Sequence, residues 1–179
     1  LTGAAIMGLL EPPGQITGGR IALEGQRIDG DAQKVRGCRI GMIFQDPLTS
    51  LNPLRTVGDQ LVETIQLHLG MDGTAAAARA GELLDEVGID RDRIGAYPHE
   101  FSGGMRQRIV IALALAPEPK LIIADEPTTA LDVSIQAQVL ALLRSLCKDR
   151  GAAVILITHD MGVIAETSDR VAVLYSGRL

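Results

Sequence analysis

Asp125 and Glu126 are adjacent carboxylates that directly follow the apolar run 121–124. An apolar run of this length, stopped by Pro127, is typical of a buried strand in a parallel sheet. Ligands of open α/β sheets bind beyond the carboxyl ends of the strands, so this strand would bring both acids to a ligand site. Acids placed there can hold a cation or take up a proton. Taken alone, the pattern also fits a core strand that merely reaches solvent.

A second candidate site is the segment 101–108, in which Ser102, Gly103 and Gly104 open an apolar stretch. We predict a helix over residues 105–116. Glycines let a backbone approach a ligand closely, and a helix N-terminus offers unpaired N–H groups and a partial positive charge. These residues therefore suit a phosphate, with the Ser102 hydroxyl as a further donor. Without other signals, an ordinary helix cap explains them equally well.

Two polar side chains follow other predicted strands. His159 comes after the apolar run 153–157, and Gln45 ends the predicted strand 39–44. If the strand before His159 is the parallel neighbour of the strand before Glu126, the imidazole ends beside that carboxylate. A turn glutamine bonded to backbone is the simpler interpretation of Gln45 on its own. His68 and His99 have no comparable setting, and we assign them to packing or the surface.

These four stretches, in this order and at these separations, resemble the motifs of ABC-type ATPases. Residues 101–108 resemble the signature motif, residues 121–129 the Walker B strand with its acids, and residues 130–132 the D-loop. His159 is similar to the switch histidine and Gln45 to the Q-loop glutamine. The resemblance runs over nearly the whole chain, and four ordered motifs make it very specific.

The resemblance implies roles for the residues that would handle ATP. Asp125 would hold Mg²⁺ through water, and the amide oxygen of Gln45 would reach the Mg²⁺ or the attacking water. Glu126 would be the general base or polariser of that water. His159 would meet the γ-phosphate and orient the water.

The resemblance also implies a site shared between two subunits. Ser102, Gly103 and Gly104 of one subunit would cover the ATP held by the other. Asp132 would belong to the D-loop at this junction, and it also suits the N-cap of the predicted helix 133–148. Arg106 and Arg108 lie on an otherwise apolar helix, and we interpret them as surface or interface charges rather than a nucleic-acid patch.

Within the family, the wording of residues 44–53 and 101–108 looks most like the ATPase subunits of oligopeptide and dipeptide importers, and nickel importers share it. Phe101 and Met105 stand where the family usually has Leu and Gln. The implied protein hydrolyses ATP at the cytoplasmic face of the plasma (inner) membrane, as a peripheral subunit. Its partners would be a second ABC ATPase subunit, two transmembrane permease subunits and, indirectly, an extracytoplasmic solute-binding protein. We expect no nucleic-acid partner.

The family's phosphate loop, G-x-x-x-x-G-K-[ST], does not occur in these residues. Lys34, Lys120 and Lys148 are the lysines of the chain, and none lies between Gly and Ser or Thr. We expect the natural protein to continue beyond both ends of the sequence, with the loop just before Leu1. A non-hydrolysing relative that has lost the loop is one alternative. An ABC-type ATPase acting on DNA or ribosomes, without a permease, is another.

The elements that would position these residues define an α/β fold of the P-loop NTPase type: a mainly parallel sheet with flanking helices, a small antiparallel β segment and a helical subdomain. The helical subdomain is expected at about residues 54–116, where apolar residues recur at helical spacing. The whole chain would be one partial ATPase domain. Its further predicted elements are a helix over 1–10, an antiparallel strand and turn over 19–25, a helix over 161–167 and a strand over 170–175.

Composition agrees with a single globular domain. The 179 residues are 46% hydrophobic and 22% charged, and the apolar runs are too short or interrupted to span a bilayer. A net charge of −5 argues against a broad basic surface for nucleic acid. Cys38 and Cys147 form no metal-binding or disulfide pattern, which fits a reducing cytoplasm.

Overall fold

The computed structural model describes residues 1–129 and 131–179, without the side chain of Leu48. In chain order its elements are α1 (Thr2–Ile6), β1 (Ala22–Leu23), β2 (Gln26–Arg27), α2 (Ala32–Val35), β3 (Ile40–Ile43), α3 (Pro47–Ser50), α4 (Val57–Leu69), α5 (Gly73–Glu86), α6 (Gly103–Leu115), β4 (Leu121–Asp125), α7 (Val133–Asp149), β5 (Ala153–Ile157) and α8 (Met161–Thr167). Short 3₁₀ turns at Arg91–Gly95 and Pro98–Glu100 connect α5 to α6.

A parallel sheet in the order β3-β4-β5 forms the centre of the fold. Its register pairs Ile43 with Ala124 and Asp125 with Ile157, so the three strands end at one edge. The separate pair β1-β2 is antiparallel. The predicted α/β class, with a mainly parallel sheet and a small antiparallel segment, is confirmed. The antiparallel strand and turn predicted over 19–25 correspond to β1 and the turn at Glu24 and Gly25, which β2 follows.

Successive side chains of β4 point to opposite faces of the sheet, and a separate hydrophobic cluster covers each face. Ile122 and Ala124 belong to the larger cluster, which is formed with α4, α5, α6 and α7. Leu121 and Ile123 face the smaller cluster, which includes Met7. On that side, Gly3 of α1 comes so near the sheet that a Cβ would lie 3.1 Å from Cγ2 of Ile123. Burial of β4 on both faces fixes its register, since a one-residue slip would exchange the two clusters.

The helices α4, α5 and α6 have clear sequence reasons for their limits. The Thr56 hydroxyl accepts from the amide of Asp59 at 3.1 Å, and the Asp72 carboxylate accepts from the amide of Ala75 at 2.9 Å. Gly70 ends α4 in the left-handed region, at φ 66°. These helices lie within the range 54–116 that the sequence assigned to a helical subdomain. That this range forms a separate subdomain stays a prediction.

Two predicted elements differ from the structure. The helix expected over 1–10 is only α1, because Gly8 adopts φ 60° and leaves the helical region. The strand expected over 170–175 is wrong, since that segment joins no sheet and only its last residue, Tyr175, forms a bridge, with Arg178. Its β-branched residues suit a strand, but β5 is hydrogen-bonded to β4 alone among the described strands. Strand propensity without a neighbouring strand to pair with does not make the segment a strand.

No helix in the described part of the chain has the length and apolar character needed to cross a membrane.

Candidate active site

The carboxyl ends of β3, β4 and β5 bring Gln45, Glu126 and His159 together. The Gln45 amide nitrogen donates to Oε2 of Glu126 at 3.1 Å. Nδ1 of His159 lies 3.2 Å from Oε1 of the same carboxylate. Each of the three residues follows a different strand, so the parallel register creates the cluster. The convergence expected from the sequence for Glu126 and His159 is present, and Gln45 joins it.

Glu126 itself has an unusual backbone. Its φ is 48°, in the left-handed region that side chains with a Cβ rarely occupy. Its amide still donates to the carbonyl of Ile157 at 2.9 Å, so the β4–β5 ladder extends by one bond before the chain turns. After Pro127, the Thr129 hydroxyl donates to the Glu126 carboxylate at 2.9 Å. The turn therefore directs the Glu126 side chain back towards the strand ends.

The surroundings of Glu126 favour its ionised form. The hydrogen bond from Thr129, followed by the one with His159, lowers the pKa of Glu126, although partial burial opposes the shift. The Glu126 side chain keeps 28% of its surface accessible, and that of His159 keeps 77%. At neutral pH the carboxylate is thus ionised, within reach of solvent, and able to accept a hydrogen bond from water.

Asp125 is the last residue of β4 and is partly buried. Within the residues that the structure describes, no side chain hydrogen-bonds or ion-pairs with its carboxylate. Gln45 directs its amide nitrogen at Glu126, which leaves its amide oxygen without a protein partner in the same part of the chain. The oxygens of these two side chains are the ones that remain for a hard cation at the strand ends. No group of three or more His, Cys, Asp or Glu side chains in the described residues could hold a metal by itself.

The signature segment forms the N-terminus of α6. Ser102 is the N-cap, and its hydroxyl accepts from the amide of Met105 at 3.4 Å. Ser102 and Gly103 are exposed, and Gly104 is partly buried. A Cβ at Gly104 would lie 2.7 Å from Cγ2 of Ile135 on α7, so this position needs glycine for packing. The cap is therefore observed, and phosphate binding stays a prediction. No hydrogen bond joins this segment to Glu126 in the described chain.

Arginine side chains contact the segment that precedes α6 and the neighbouring helices. Arg106 donates through Nε to the carbonyls of Pro98 at 3.0 Å and Phe101 at 2.9 Å. Arg93 lies over the Phe101 ring at 4.2 Å from its centroid. Arg108 donates to the carbonyl of Val87 at 3.0 Å and to the Gln138 side chain at 3.2 Å. Both signature-helix arginines thus make contacts within the chain, which the sequence did not suggest.

The D-loop prediction lies partly outside the described residues, because Ala130 is not described. Asp132 does occupy the N-cap position of α7, and its carbonyl accepts from the amide of Gln136 at 2.8 Å. The expected side-chain cap is wrong, since the Asp132 carboxylate makes no capping hydrogen bond. That carboxylate is exposed at the start of α7.

Two residues that the sequence did not single out belong to the site. Thr129 hydrogen-bonds Glu126, as described above. Gln136 of α7 donates to Oδ2 of Asp160 at 3.3 Å, while Oδ1 of Asp160 caps α8 by accepting from Gly162 at 2.8 Å. Thr129 could have been suspected from its place three residues after Glu126 in a turn that contains proline. Nothing in the sequence marks Gln136, because its partner is 24 residues away.

A sequence profile described as "ABC transporter" matches residues 3–129, which include Gln45, Ser102, Asp125 and Glu126. The chain belongs to the ABC transporter family.

This family member is 53% identical to the oligopeptide transport ATP-binding protein OppD of Bacillus subtilis over 100% of the chain and 52% of that protein. It is 50% identical to the dipeptide transport ATP-binding protein DppD of the same organism, over 100% of the chain and 56% of that protein. The chain thus spans about half the length of the curated relatives it matches.

Among solved structures, this chain resembles the ATP-binding cassette MJ0796, whose structure is a dimer in a post-hydrolysis state bound to ADP and Pi. The TM-score is 0.69 at 31% identity, over 82% of this chain and 65% of that one. The fold is therefore that of an ATP-binding cassette domain.

Proposed function

We propose that this chain is part of the ATP-binding and ATP-hydrolysing subunit of an ABC importer that takes up peptides or a similar small solute. The observation that carries the proposal is the convergence on the Glu126 carboxylate of Gln45, His159 and Thr129. An ionised carboxylate that stays within reach of solvent can orient and deprotonate water. The identity of half or more to oligopeptide and dipeptide transport proteins supports the solute class.

Glu126 is the group that accepts the proton of the attacking water. Its hydrogen bonds hold the carboxylate in one direction, which matters because phosphoryl transfer depends mainly on positioning and charge neutralisation. His159 lies on the solvent side of this carboxylate, where its imidazole can donate to a phosphate oxygen or to the water.

Mg²⁺ fits the oxygens that remain at the strand ends. The Asp125 carboxylate and the Gln45 amide oxygen lack protein partners in the described chain, and hard cations prefer oxygen ligands of this kind. Mg²⁺ usually keeps several waters, so two side chains suffice when nucleotide phosphates supply the rest. The cation would neutralise charge on the β- and γ-phosphates of ATP.

The exposed N-terminus of α6 supports a site shared between two subunits. Ser102 and Gly103 present a hydroxyl and helix N–H groups to solvent, where they can bind the nucleotide of a second ABC subunit. Asp132 presents its carboxylate at the start of α7, close to the same junction. The dimeric state of the similar cassette MJ0796 supports this arrangement.

A permease subunit would dock beside the Gln45 loop. An apolar groove of about 270 Å³ lies between α3 and the turn before α6, and is lined by Pro47, Leu51, Pro53, Pro98, His99 and Arg106. The residues of one wall come shortly after Gln45 in the sequence, and most residues of the other wall come shortly before Ser102. A permease segment bound in this groove would therefore contact both the Gln45 loop and the segment before α6. Such docking would hold the subunit at the cytoplasmic face of the membrane as a peripheral protein.

The test uses the complete subunit, assembled with its permease in vesicles. Glu126→Gln keeps the size of the side chain and removes the negative charge. We expect ATP turnover to fall by at least about a hundredfold while ATP binding persists. Glu166→Gln, an exposed change on α8, is the matched control and should leave turnover unchanged. Normal turnover in the Glu126 variant would refute the role assigned to this residue.

A further inference from the structure

Thr129 contacts both the side-chain carboxylate and the backbone carbonyl of Glu126. Its Oγ1 lies 2.9 Å from Oε2 of the carboxylate and 3.2 Å from the backbone carbonyl oxygen of the same residue. A hydroxyl has one hydrogen, so these two acceptors share it. The Thr129 amide also donates to the Glu126 carbonyl at 3.4 Å. One residue thus contacts the backbone turn and the reacting carboxylate together.

The other two contacts of the carboxylate have a different origin. Gln45 is 81 residues from Glu126 in sequence and His159 is 33 residues away, each in a segment that follows another strand. Either can leave Glu126 when its own segment moves. Thr129 is three residues away in the same turn, so its hydroxyl moves together with Glu126. It is the contact that can persist when water and nucleotide occupy the site.

The turn needs such a contact. Glu126 adopts φ 48°, and the residue before a proline ordinarily prefers extended backbone. The left-handed conformation at this position is therefore unfavourable on two counts, and bonds to its carbonyl oxygen are needed to keep it. The hydroxyl and amide of Thr129 supply those bonds.

We propose that Thr129 is a positioning residue for Glu126: its hydroxyl holds Oε2 and the turn in place, which leaves Oε1 directed towards His159 and the attacking water. The inference rests on the proposed role of Glu126 as the base. Thr129 contacts neither nucleotide nor water in this scheme, and it acts through Glu126 alone.

The experiment compares Thr129→Val, which keeps the shape and removes the hydroxyl, with Thr129→Ser, which keeps the hydroxyl. Thr128→Val makes the same chemical change one residue away, at a buried threonine whose hydroxyl bonds no described side chain. Measured in the complete subunit with its permease, Thr129→Val should lower kcat by about tenfold with little change in KM for ATP. Thr129→Ser and Thr128→Val should stay within about twofold of the parent protein.

Hydrogen–deuterium exchange of the peptide covering residues 125–132 gives a readout that needs no ATP hydrolysis. We expect faster exchange in Thr129→Val than in Thr129→Ser. Equal exchange in the two variants would overturn the positioning role of Thr129, whether or not the protein hydrolyses ATP. A parent protein that hydrolyses no ATP would refute the proposed function and leave the exchange test intact. Unchanged kcat in Thr129→Val, an equal loss in Thr129→Ser, or a loss of kcat together with a lower Tm and weaker ATP binding would also overturn it.

Discussion

Gly104 of α6 and Ile135 of α7 are packed so closely that a Cβ on the glycine would stand 2.7 Å from Cγ2 of the isoleucine. The contact joins the start of the signature helix to the start of the helix that follows the Glu126 turn. Leu131 contributes beside it, with its Cδ2 3.6 Å from the position of a Cβ on Gly103. The small size of Gly104 thus serves packing within the chain, whereas a Cβ on Gly103 would make only an ordinary contact.

Gly104→Ala is expected to lower the free energy of unfolding by about 1–2 kcal/mol, because overpacking costs more than the alanine gains in helix propensity. Adding Ile135→Ala removes Cγ2 and should restore much of the loss caused by the clash. Ile135→Val keeps Cγ2 and should not. Denaturant unfolding of the single and double variants measures this coupling, and equal stability of the two double variants would contradict the contact.

Glu86 pairs with Arg79 of its own helix α5 at 2.8 Å, and it pairs with Arg150 at the end of α7. Burial alone would raise the pKa of Glu86, but hydrogen bonds from both arginines outweigh it and lower the pKa below its ordinary 4.5. The stabilisation is therefore complete above that value and is lost as the pH falls through the lower pKa of the folded state. We expect Glu86→Gln to cost about 1 kcal/mol at pH 7 and less at acid pH.

Glu82→Gln is the matched control for this prediction. Glu82 also pairs with Arg79, at 3.2 Å, but its side chain is 56% exposed. Its replacement should change stability by less than about 0.5 kcal/mol at any pH. Thermal unfolding between acid and neutral pH distinguishes the two variants, and parallel pH profiles for both would contradict the network around Glu86.

Cys147 is buried in α7, and burial raises the pKa of its thiol to about 11. The thiolate is the reactive form, so a neutral-pH alkylating reagent should label Cys147 only after unfolding. Cys38 is partly exposed and should react in the folded protein. Mass spectrometry of labelled peptides measures how much of each cysteine has reacted. Cys38→Ser should abolish labelling of the native state. Rapid labelling of Cys147 in that variant would refute its burial.

Gln136 connects α7 to Asp160, which follows His159 directly. Gln136→Glu places a negative charge against the Asp160 carboxylate, and like charges at this distance repel. We expect faster amide exchange over residues 158–163 and a several-fold lower turnover in the complete subunit, since the His159 segment loses an anchor. Gln136→Ala should show a smaller effect of the same sign. If the glutamate variant exchanges at the parent rate, the hydrogen bond has no positioning role.

The sequence predicted the site better than the periphery of the fold. The run 121–124 ending in Asp125 and Glu126 marked the central strand correctly, because burial on both faces demands apolar residues throughout. The helix over 57–69 was marked by apolar residues at helical spacing, which is a local signal. The segment 170–175 carries equally good strand residues but is not a strand, because pairing depends on a neighbour that local sequence does not specify.

The comparisons favour the importer among the functions considered from the sequence. The matched relatives are oligopeptide and dipeptide transport ATP-binding proteins, which supports the importer proposed above. The net charge of −5 agrees with this choice.

The sequence by itself determined which groups are available: two acids after a buried strand, a serine with two glycines before a helix, and a histidine and a glutamine after other strands. These depend on residue type and short-range order, which sequence records directly. Only the tertiary structure decided that Gln45, His159 and Thr129 share the carboxylate of Glu126, that the Asp132 side chain does not cap α7, and that Gly104 is required by Ile135. The contacts of Gln45 and His159 and the packing of Gly104 come from strand register and helix packing, which bring together residues far apart along the chain. The contact of Thr129 depends instead on the backbone turn that follows Glu126.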